Sequence, residues 1–102
     1  MSGIKIRIIW SDQAIADLKY IHDGIRKKTK SATNAKNVKN DIIQASKNIN
    51  FAEQYQEDEF LKEPFRRIIV RHFRIVYVAE NESSIIILEV FDSYRNPIHL
   101  RK

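Results

Sequence analysis

The stretch FRRIIVRHFRIVYVAENESSIIILEVFD, residues 65–92, decides the fold. It is rich in Ile, Val, Tyr and Phe, the residues that suit a pleated, half-buried surface. Two short polar breaks divide it, at residues 71–72 and 80–83, each short enough for a hairpin turn. The reading is three strands, over 65–71, 73–80 and 84–91, joined as a meander. Such a meander must bury one face against something else.

The cover lies upstream. Ser11 stands where a helix N-cap belongs and Asp12 complements the dipole just after it, so a helix is expected over about 12–28. Ala14, Ile15, Leu18, Ile21 and Ile25 repeat at helical spacing on one face. Arg26, Lys27, Lys28 and Lys30 crowd its C-terminal end, where the dipole favours cations. After a polar break around 29–33, Ala35, Val38, Ile42, Ala45 and Ile49 form a narrow apolar seam, which gives a second helix over about 32–49. The short link makes the pair an antiparallel αα-hairpin. Before it, Ile4, Ile6 and Ile8 alternate with Lys5 and Arg7, predicting a strand over 4–10 that joins the sheet edge. Trp10 is read as a core anchor under the helices.

Residues 50–64 hold four Glu and one Asp without a strong period and read as an acidic loop. Residues 92–102, with Pro97, read as a loop tail. The expectation is one α+β domain over 1–102, in the order β-α-α-β-β-β. An αα-hairpin covers one face of a small, mainly antiparallel sheet, and the other face is left shallow and partly open.

Bulk properties narrow the function. The 102 residues carry 18 Lys and Arg against 13 Asp and Glu, a net charge of +5, so an acidic partner or nucleic acid is expected. With no cysteine, thiolate catalysis and disulfides are excluded, and a reducing cytoplasm fits. No apolar run is long enough to span a membrane, and the start lacks the pattern of a secretory leader. His22, His72 and His99 lack metal-ligand spacing, so neither metal nor cofactor is expected.

Several phrases together resemble the RelE/ParE toxin superfamily of type II toxin–antitoxin systems. They are Trp10-Ser11 followed by Ala14, Asp17, Leu18 and Ile21; Arg66-Arg67-Ile68; His72-Phe73-Arg74-Ile75-Val76-Tyr77; Ile85-Ile86-Ile87-Leu88; and Val90-Phe91-Asp92-Ser93-Tyr94-Arg95-Asn96-Pro97. The resemblance covers most of the chain and implies the same element order. It implies a cognate antitoxin, often acidic, as partner.

Two modes of action follow from that resemblance. In ribosome-dependent mRNA endonucleases of the superfamily, an Arg at the position of Arg74 contacts the scissile phosphate, which a guanidinium can brace through paired hydrogen bonds. Tyr94 falls where such members place a Tyr or a His-Tyr pair, for stacking or proton transfer, and Glu59 falls in a loop that carries a general base in one branch. Glu57 and Glu63 are alternatives to Glu59. The 2′-hydroxyl is the nucleophile, so no metal is needed. Arg66, Arg67, Arg71 and Arg95 would hold the backbone of RNA or DNA, with Arg67 and Arg71 on one strand face and Arg66 on the other. The plain alternative for each is a solvated or structural side chain, as His72 is read at its tight turn. Ser93 stands where one branch has its catalytic His.

In the second mode the chain poisons DNA gyrase by binding, as ParE proteins do, and cuts nothing. The long helical hairpin and Ser93 favour this mode, while the context of Arg74 tips the balance slightly towards the nuclease. A degenerate toxin that only binds its antitoxin is a third possibility.

Overall fold

The computed structural model describes residues 6–50, 54, 57–58 and 61–94. The element order is β1 (Arg7–Trp10), α1 (Asp12–Thr29), α2 (Ala32–Lys47), β2 (Arg66–Val70), β3 (Phe73–Asn81) and β4 (Ser84–Asp92). The four strands form one sheet in the order β1-β4-β3-β2. β2, β3 and β4 run antiparallel as the expected meander, and β1 joins the edge parallel to β4. Ile4 and Lys5 of the expected first strand lie outside the described residues.

Local chemistry explains where the helices begin and end. The Ser11 hydroxyl accepts from the Ala14 N–H (3.0 Å) and donates to the Leu88 carbonyl (2.9 Å), so one side chain caps α1 and ties it to β4. Ser31 caps α2 in the same way through the Asn34 N–H. Between them Lys30 takes φ 59, the left-handed conformation that ends α1. α2 stops at Lys47, two residues short of the expected end, yet Ile49 remains buried.

The helices cover one sheet face. Ala14, Leu18 and Ile21 of α1 and Val38 and Ile42 of α2 meet Ile68, Phe73, Ile75, Tyr77, Ile85, Ile87 and Val90 in one cluster. Trp10 packs against its edge, as an anchor should. Ile15 does not join it and is 55% exposed. It lies one residue, about 100° of helix, from Ala14, which is enough to carry it off a narrow seam. A register shift between Val76 and Tyr77, opposite Leu88, lets Tyr77 pair with Ile87 and still point into this core.

The opposite face departs from expectation. By strand alternation Arg74, Val76 and Phe91 point away from the helices. All three are nevertheless buried, at 7%, 0% and 4% exposure. The sheet centre is closed on both sides, so this face is not the open surface that the sequence suggested.

Candidate functional site

Arg74 lies on that closed face, at the second residue of β3. Its cross-strand partners are Ile69 on β2 and Phe91 on β4, and its guanidinium sits 5.9 Å from the Phe91 ring centroid. Nη1 is 3.8 Å from Oδ1 of Asp58, which is fully buried. Asp58 belongs to a tightly knit turn. Its N–H donates to the Phe65 carbonyl, its carbonyl accepts from the Lys62 N–H, and its Oδ2 accepts from the Leu61 N–H, each at 2.8 Å. Glu57 forms a bridge to Arg66 at the outer edge of β2. The acidic connection thus folds back on the sheet and brings a carboxylate to Arg74. At such a depth a charge needs its partner.

The β2 arginines do not make one stripe. Arg66 Nη2 donates to Glu63 at 3.1 Å. Arg67, the next residue, points to the other face, as strand alternation requires. Arg71 is not on the strand. It occupies the β2–β3 turn at φ 57, and its Nε and Nη2 both reach Oδ2 of Asp41 on α2, at 3.0 and 2.8 Å. The expected face shared by Arg67 and Arg71 is therefore absent, because the strand ends at Val70 and the turn redirects the side chain.

Tyr94 is 83% exposed and stacks on His72, with ring centroids 4.6 Å apart and planes 8° from parallel. The Asp92 carboxylate lies 3.7 Å from His72 Nε2 and accepts from the Tyr94 N–H. Ser93 donates to the His72 carbonyl through both its N–H (2.8 Å) and its hydroxyl (2.6 Å). The pairing of Phe73 with Asp92 creates this corner, because it sets the β2–β3 turn beside the end of β4. Tyr94 and Arg74 are in opposite settings, one in solvent and one closed inside. Glu59 and Arg95 lie outside the described residues, as does His99.

Beside the corner a cleft of about 790 Å³ opens between α1, the start of α2, the start of β3 and the end of β4. Buried Ile21, Val38, Phe73 and Val90 line it from within, and exposed Lys27, Lys28 and Arg71 line it from the solvent side. Its size suits a ligand or an inserted side-chain cluster. On the α1 wall of this cleft, hydrogen bonds first from His22 and then from Lys19 hold the exposed Asp23 carboxyl down at about 2. Among the described residues no group of three or more His, Asp or Glu is placed to hold a metal ion.

The sequence reading missed Asp58 and Asp41; His72 sits at the tight turn expected of it, and there it meets Tyr94 and Asp92. A signal existed for the first. A strand apolar on both faces, as FRIVYV is, gets buried on both faces, and an arginine within it then needs an acid.

The comparisons agree with this architecture. The family model for "ParE toxin of type II toxin-antitoxin system, parDE" matches residues 8–97. The fold is similar to a chain from the "Chromosomal ParDE TA system from P. aeruginosa", with a TM-score of 0.73 at 20% identity, over 85% of this chain and 95% of that one. No curated protein matches the chain in sequence.

Proposed function

Given that the chain belongs to the ParE toxin family of type II toxin–antitoxin systems, we propose that it arrests growth by binding DNA gyrase, with a cognate acidic antitoxin as its partner. The observation that carries this reading is the burial of Arg74 against Asp58. Cleaving RNA through the 2′-hydroxyl needs a base, an acid and a charge-stabilising group gathered around one phosphate. Arg74 was the group expected to brace that phosphate. A guanidinium 7% exposed would have to leave a buried carboxylate to do so, and that separation is costly. A binding inhibitor has no such requirement, and a net charge of +5 suits a target that holds DNA.

The alternative, mRNA cleavage on the ribosome, has one observation in its favour. His72 and Tyr94 are stacked beside Asp92, and these are groups able to move protons. Two reactions run in parallel separate the readings. Purified toxin is added to gyrase supercoiling of relaxed plasmid, and to reconstituted translation followed by mapping of mRNA 5′ ends. The gyrase reading expects lost supercoiling with intact mRNA. Cuts within the ribosome-bound codon with normal supercoiling would replace it with the nuclease.

A further inference from the structure

The basic charge of this chain is concentrated in one place. Residues 24–40 contain Arg26, Lys27, Lys28, Lys30, Lys36 and Lys39 and no acid. The remaining twelve cations face all thirteen acids, so outside this stretch the chain is close to neutral. The stretch is the tip of the αα-hairpin, the last turn of α1, the link and the first two turns of α2. All six cations are exposed, and none makes an ion pair among the described residues. Lys36 and Lys39, three apart, lie on one face of α2.

Helix electrostatics account for only part of this. Arg26, Lys27 and Lys28 suit the C-terminal end of α1. Lys36 and Lys39 sit in the N-terminal half of α2, where the dipole gives a cation no advantage. Lys30 occupies the left-handed cap, a position that glycine fills without strain. A lysine there bears a backbone penalty that glycine would not.

The surroundings identify the kind of partner. Protein interfaces are anchored by apolar and aromatic side chains and are poor in lysine. The exposed side chains of the tip are Lys, Arg, Thr, Asn and one Ala, the types that contact phosphates. The tip exposes no aromatic ring to stack an unpaired base, as binding of single strands requires. We infer that the tip of the helical hairpin is a docking surface for the phosphate backbone of a nucleic-acid duplex, read without regard to sequence. This surface does not depend on the gyrase reading, because any duplex offers the same backbone.

The test is fluorescence anisotropy of a short labelled DNA duplex titrated with the full-length toxin across about 50 to 200 mM salt. With all six cations engaged, log affinity should fall with log salt at a slope of about −5. Lys30→Gly relieves the strained backbone, so the variant should melt no lower than the parent while its slope weakens by about one. Lys27→Gln with Lys28→Gln should weaken the slope by about two. Unlabelled DNA and RNA duplexes as competitors show which double helix the tip prefers, and displacement by either supports the inference. It is overturned if the parent binds no duplex at low salt, or if both variants bind with the parent's affinity and slope. Displacement by polyglutamate as effective as by duplex at equal charge would also overturn it, in favour of an acidic protein.

Discussion

Removing either member of the Arg74–Asp58 pair should destabilise this protein strongly, and the size of the effect follows from its burial. Arg74→Met keeps the length of the side chain and deletes the charge. Asp58→Asn keeps the acceptor for the Leu61 N–H and deletes the opposite charge. Each single change removes one charge of a pair whose members are 7% and 0% exposed, which costs about 3–5 kcal/mol. That is a large share of the roughly 5–15 kcal/mol that holds a domain together. For a domain of this size each kcal/mol lowers Tm by about 4–8 °C, so a fall of about 12 °C or more is expected. The two charges are 3.8 Å apart, and at an effective dielectric near 20 they attract by about 4 kcal/mol. The double variant should therefore lose less than the sum of the singles, by about 2–4 kcal/mol. Urea unfolding of the four proteins closes the cycle. Single losses under about 1 kcal/mol that simply add would refute the reasoning. Arg74 would then behave as a screened surface cation, free to meet a phosphate.

Further outcomes follow from other contacts. Asp17→Ala deprives the Val90 N–H of its acceptor at 3.0 Å and should cost about 1–3 kcal/mol in urea unfolding; an unchanged midpoint would show that water replaces it. Arg71→Gly relieves a φ of 57 and removes a half-exposed ion pair to Asp41, and the two effects should offset to within about 1 kcal/mol. A loss above about 2 kcal/mol would mean that the pair holds α2 to the sheet more firmly than its exposure implies. The Asp23 carboxyl should titrate at about 2 by NMR, well below its usual 3.8. Since its folded value is depressed, the contribution of its pairing with His22 and Lys19 is present above pH 3.8 and fades as pH falls towards about 2. A midpoint near 3.8 would show those bonds to be absent in solution.

The order of elements was legible because each carries a strong local signal: alternation in the strands, seams in the helices, and Ser11 at the first cap. Ala35, Val38 and Ile42 of α2 followed from spacing alone, whereas Ser46 is buried beside a half-buried Ala45, and Ile15 failed because a narrow seam tolerates little angular error. The candidate site was less legible. Its defining contacts join residues far apart in sequence, Asp58 to Arg74, Asp41 to Arg71, and His72 to Tyr94. Reading the last of these required the β3–β4 register, which hairpin lengths alone do not determine. The charge of the hairpin tip was visible residue by residue. That those cations are exposed and make no ion pair among the described residues is a property of the fold that composition does not carry.

The measurement that tests the central claim most directly is a titration of gyrase supercoiling against toxin at several gyrase concentrations. A toxin that acts by binding should reach half-inhibition at a concentration that rises in step with gyrase, with no nucleic acid cut by the toxin itself. Supercoiling that continues unchanged under a molar excess of toxin, from a preparation that arrests growth in cells, would contradict the account.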